Sequence, residues 1–289
     1  MLQCGVKQRL GRRELLLGSL CALPGVQARS RIRLGCQTRA WGSPLRDRAQ
    51  LLAALSDLHE LGYEGFETNF ASLADSFANP RPARAEFSKR GVPLIGLHMS
   101  AALFNPARLE KEQEQIAQVA RAVKDLGGDY LMLSGSGAPE SPEALKAKCR
   151  ELNRAGKVCK DLGVRLCSHN HGQELEHDAR SLRAILGDTD PEQVSIVLDV
   201  GNPFPPSFTP AAIVRRYGKR IPVFHLRDSV AGKEVLFGAG ECDFAGLGRA
   251  LAETDWGGWL IVEVNRNPQI PSRKMVESAR DFVRKQMKL

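Results

Sequence analysis

The sequence has no CxxC pair, no long run of lysine and arginine, no GxGxxG turn and no low-complexity tract. Each absence narrows the choice. Cys4 and Cys21 lie within the first 28 residues, leaving Cys36, Cys149, Cys159, Cys167 and Cys242, an odd set whose spacing argues against a disulfide framework or a zinc knuckle. They read as buried thiols. Basic residues are scattered and aromatics make up only 6% of the chain, so there is no nucleic-acid footprint. The missing glycine fingerprint ranks a doubly wound nucleotide-binding sheet low. The apolar stretch LLLGSLCALPGV (15–26) is too short to span a bilayer as a helix.

What is present begins with a leader. Lys7, Arg9, Arg12 and Arg13 precede that apolar stretch, and Val26-Gln27-Ala28 follows as a small-residue cleavage pattern. The adjacent arginines of GRRELLLG look like a twin-arginine export signal. Residues 1–28 are therefore expected to be a cleavable signal peptide that engages the twin-arginine machinery. The mature protein would be exported to the periplasm or beyond, with no stable membrane association after cleavage. The leader's four basic residues and Glu14 account for +3 of the formal +8, leaving a mild +5 on residues 29–289.

Beyond the leader, apolar runs alternate with amphipathic segments. Strands are expected at 31–38, 65–68, 92–98, 130–134, 165–171, 194–199, 222–226 and 258–264, each followed by a helix. Leu51, Leu55, Leu58 and Leu61 share one helical face, and Ser141-Pro142 reads as a cap followed by a first-turn proline. Units of about thirty residues, repeated to eight strands, suit a single closed (β/α)8 barrel over residues 29–289. Chemistry gathers at the carboxyl ends of the strands. VSIVLD delivers Asp199, RLCSHNH delivers His169 and His171, IPVFHLRD delivers His225, and GWLIVEVN delivers Glu263. Imidazoles and carboxylates on successive strand ends form a metal-site constellation if the strands are neighbours. Glu67 and His98 reach the same rim from the second and third strands, and His59 reads as structural.

The ordered set HNH (169–171), LDVGN (198–202), HLRD (225–228), GAGECDF (238–244) and VEVN (262–265) resembles the sugar phosphate isomerase/epimerase family with the xylose isomerase-like TIM barrel. The resemblance spans essentially the whole mature chain. It implies a divalent metal (manganese, zinc, cobalt or magnesium) held by His169, Asp199, His225 and Glu263, and a carbohydrate or keto sugar as substrate. Family epimerases usually carry a glutamate where His169 stands. Glu263 is then expected to work with Glu174 or His171 in proton transfer, while His98, Glu67, Asn170, Arg227 and Asp228 bind substrate. A branch with an HNH strand and a following glutamate, often exported and associated with oxidised sugars, looks closer to this sequence than the sugar phosphate enzymes. The reaction expected is isomerisation, epimerisation or a related lyase step through an enediolate. Two other readings stand beside it: a second enzyme reading, an apurinic endonuclease, which needs more histidines than the six present, and, from another class, a sugar-binding barrel without catalysis. Mass spectrometry of the exported protein should find a mature start near Arg29, and Arg12→Lys/Arg13→Lys should hold it in the cytoplasm; an intact Met1 outside the cytoplasm contradicts the leader.

Overall fold

The computed structural model describes residues 1, 31–135, 137 and 139–288. Cys4, Arg12, Arg13, Cys21 and Val26-Gln27-Ala28, which carry the expected leader, lie outside the described residues, as does Ser136.

The strands are β1 (Ile32–Gln37), β2 (Gly65–Asn69), β3 (Leu94–Ser100), β4 (Tyr130–Ser134), β5 (Arg165–His169), β6 (Val194–Asp199), β7 (Val223–Leu226), a hairpin of β8 (Asp228–Val230) and β9 (Lys233–Val235), and β10 (Gly258–Val262). The helices are α1 (Arg48–Glu60), α2 (Pro80–Lys89), α3 (Leu109–Leu126), α4 (Pro142–Asp161), α5 (Gly172–Asp188), α6 (Pro210–Tyr217), α7 (Phe244–Glu253) and α8 (Ser272–Met287). Eight parallel strands close in the order β1-β10-β7-β6-β5-β4-β3-β2. Helix starts follow the sequence signals. The side chains of Asp47, Ser141, Thr209 and Asp243 each accept a hydrogen bond from a first-turn amide, and Pro142 and Pro210 occupy positions that need no amide donor.

Two apolar layers result. One fills the space between strands and helices, with Leu51, Leu55, Ile116, Leu166 and Leu198 fully or almost fully buried. The other fills the barrel interior with Ile95, Met132, Cys167, Val197, Val223, Trp259 and Ile261. Gly35 and Gly65 leave the room it needs, because a Cβ at either would lie within 3 Å of Ile95. Side chains alternate across a strand, so the residue two places beyond each interior residue points the same way. Cys167, Val197, Val223 and Ile261 therefore set the direction of His169, Asp199, His225 and Glu263. The interior layer is the floor of the site.

Three local features differ from the sequence reading. β5 stops at His169, so His171 caps α5 instead of closing the strand. α5 starts at Gly172, where the sequence pattern predicts a helix only near Asp178–Leu186, and is interrupted at Glu176–Ala179, where His177, Asp178 and Ala179 adopt positive φ. That break hides its first turn from a periodicity argument. The hairpin of β8 and β9 was not expected at all.

Candidate metal centre

The donors of β5, β6, β7 and β10 meet just above the apolar floor. His169 Nε2 lies 3.0 Å from His225 Nδ1, 3.8 Å from Asp199 Oδ2 and 3.9 Å from Glu263 Oε2, and His225 Nδ1 lies 3.1 Å from that same Glu263 oxygen. His169 and Glu263 are 3% exposed, while Asp199 and His225 are fully buried. A tetrahedral ion with bonds of about 2.05 Å has ligand–ligand edges of roughly 3.3 Å. The observed edges bracket that value. His169, His225 and Glu263 form a tight group able to hold an ion, with Asp199 beside His169. Nothing in this donor set conflicts with a divalent cation.

The electrostatics agree. Burial pulls the His225 imidazole toward neutrality, but Glu67 and Glu263 on its two sides lift its pKa to about 10. A cation taking the Nδ1 lone pair would displace a proton, which is the exchange expected at a metal site. Burial, then the neighbouring His225 and His98 rings, push His169 well below its ordinary value, leaving it neutral and able to ligate. Burial raises the Glu263 carboxyl, yet His225, His169 and Arg227 outweigh it and hold the group well below the usual range. Glu67 is fully buried and accepts from His225 Nε2 at 2.7 Å and His98 Nδ1 at 3.0 Å. This carboxylate fixes the His225 tautomer so that Nδ1 faces the other donors.

The remaining expected site residues separate into groups. Glu67 and His98, expected to touch substrate, are spent inside the protein, since the other His98 nitrogen bonds Ser134 Oγ. Asn170 uses both ends of its amide on the Asp199 backbone, accepting from the N–H at 3.0 Å and donating to the carbonyl at 3.1 Å. Its work is to splice β5 to β6. Asp228, expected to bind substrate, is 2% exposed and accepts from the amides of Ser229, Gly238 and Gly240. It shapes the GAGEC loop, where a Cβ on Gly240 would lie 2.0 Å from its carboxylate. Arg227 pairs with Asp199, whose Oδ1 also accepts from Gly201 N–H at 2.8 Å. Glu174 is 1% exposed; its Oε2 accepts from the His171 amide at 2.9 Å, and its Oε1 lies 3.5 Å from Lys148 Nζ. Burial removes Glu174 from the mouth and leaves half-buried His171 there, its imidazole pushed toward neutrality by burial.

Two residues were missed. Arg39, just past β1, places Nη1 3.3 Å from Glu263 Oε1 with 42% of its side chain exposed, so it is a cation at the rim. Lys148 reads in sequence as an ordinary helix lysine, yet it is 3% exposed beneath the β4–α4 loop. No sequence signal distinguishes either from surface charge.

With this geometry established, the comparisons place the chain. Residues 55–286 match the family described as xylose isomerase-like TIM barrel. The chain belongs to that family. It is 26% identical over 251 residues to an inosose dehydratase of Geobacillus kaustophilus, covering 75% of this chain and 80% of that protein. A structure of L-ribulose 3-epimerase superposes with a TM-score of 0.72 at 18% identity, covering 89% of this chain and 95% of that one. The IOLI protein, solved with a zinc atom, superposes at 0.73 and 17% identity, covering 89% and 98%. These superpositions share the barrel.

Replacing Glu67 by Gln should weaken metal binding by about 10–100-fold, because the tautomer of His225 is no longer enforced. Metal titration with circular dichroism checks this; unchanged affinity in a folded variant contradicts the assignment.

Proposed function

We propose that the chain is a divalent metal-dependent enzyme that removes a proton beside the carbonyl of a keto sugar or keto cyclitol, with loss of water as the favoured outcome. The observation that carries this reading is the convergence of His169, His225, Glu263 and Asp199 at the barrel mouth, beside a single half-buried imidazole, His171. Relatives named inosose dehydratase and L-ribulose 3-epimerase support the substrate class.

A divalent ion held by these residues would supply Lewis acidity at the substrate's oxygens. The chain's own groups then divide the proton work. Glu263 turns Oε2 toward the two histidines and Oε1 toward Arg39, so Oε1 is the atom that can hold a proton at the rim. Arg39 and Arg227 keep that carboxylate anionic until it does. His171 stands as the second acid–base group: its imidazolium form can give a proton to a departing hydroxyl, releasing water and returning to the neutral imidazole that burial favours. Glu174 and Lys148 act behind it, holding the turn that carries His171.

Elimination is favoured over epimerisation because β5 presents His169 where two-carboxylate epimerases place a glutamate. Return of the proton to the opposite face by His171 would instead give an epimer. We also infer, from the leader alone, that the enzyme works after export.

The test is incubation of the metal-loaded protein with keto sugars and inososes in D2O, followed by NMR. Deuterium should enter at the carbon beside the carbonyl and an unsaturated ketone should accumulate. His171→Gln should reduce turnover by roughly 10²–10⁴-fold with metal retained. Metal without exchange on any such substrate favours a sugar-binding barrel and contradicts the proposal.

A further inference from the structure

A concavity of about 1020 Å³ lies at the other end of the barrel, where the strands begin. It is lined by seven arginine or lysine residues against one carboxylate, Asp255. Arg31 and Arg215 are answered by Glu64 and Glu253. Among the described residues, no carboxylate pairs with Arg33, Arg165, Arg216 or Lys219. Basic residues in the last turn of α6 complement the helix dipole, which explains Arg215 and Arg216 but not Arg33 and Arg165, which come from strand starts.

Several of these guanidinium groups are held in place. Arg33 stacks on the ring of Trp259 at 4.1 Å, and Arg216 on Tyr217 at 5.1 Å. Arg220 donates to Thr189 Oγ1 at 2.7 Å and to the Val194 carbonyl at 2.8 Å. Fixed guanidinium forks lose little freedom when they bind an anion. A concave surface of one sign also concentrates the field and draws in counter-charge. A volume at the upper end of ordinary ligand sites leaves room for a group of nucleotide size.

We propose that this concavity binds a small polyanion carrying phosphoryl groups, on the far side of the apolar floor from the metal centre. Arg165 and Lys219 are its exposed donors and Arg33 its fixed inner one. Because the floor of Ile95, Met132 and Trp259 separates the two ends, occupancy here should not compete with metal or substrate at the mouth.

The test is calorimetric titration of the metal-loaded chain with adenosine 3′,5′-bisphosphate, alongside co-sedimentation with phosphatidylcholine vesicles containing phosphatidic acid. Saturable binding is expected, weakened at least about tenfold by Arg165→Glu/Lys219→Glu with metal content unchanged. Binding to vesicles alone, with the same loss on charge reversal, assigns the phosphate to a lipid headgroup and still supports the site. Binding of neither probe, or equal binding by the reversed variant, overturns it. Should the reversal unfold the chain, Arg165→Gln/Lys219→Gln serves the same comparison.

Discussion

Three carboxylates, Glu67, Asp199 and Glu263, are buried around the same two imidazoles, His169 and His225, at the barrel mouth, and the rest of the site exists to make that tolerable. Burying an unpaired carboxylate costs several kcal/mol, so each must find a cation or a set of donors. Arg227 serves Asp199, His225 stands between Glu67 and Glu263, and Arg39 covers the outer oxygen of Glu263. What these partners leave is a pair of imidazole nitrogens 3.0 Å apart, facing two carboxylate oxygens. A divalent cation completes that arrangement more naturally than protons do. On the reading proposed above, the donor set would carry two formal negative charges, from Asp199 and Glu263, which would suit imidazole-tolerant ions such as zinc, cobalt or manganese better than magnesium.

The placement of these groups follows from strand periodicity. Each of the four convergent donors sits two residues above an apolar residue of the barrel interior, so packing of Cys167, Val197, Val223 and Ile261 aims the chemistry. The sharing of labour among polar neighbours is equally physical. Asn170 and Asp228 are buried because backbone groups at the splice of β5 and β6 and in the GAGEC loop need partners.

Much of this was legible. β4 and β6 coincide with their expected ranges because apolar runs are bounded there by polar or turn residues, and all eight barrel strands were expected in order. The four convergent donors were named from strand ends and from resemblance. The rest depended on partners distant in sequence. Glu67 was visible at a strand mouth, but its contact with His225, 158 residues away, was not. Lys148 lies on an amphipathic helix and gives no sign that its ammonium reaches Glu174 across to α5. The β8–β9 hairpin has only three residues per strand, too few for alternation to register.

The central claim is that His169 and His225 share one divalent ion with Glu263 and Asp199. X-ray absorption spectroscopy at the edge of the metal retained through purification tests it most directly. The expected spectrum has outer-shell scattering from two imidazole rings with oxygen completing the shell, falling to one ring in His169→Ala. A spectrum with no imidazole, or one unchanged in His169→Ala, contradicts it.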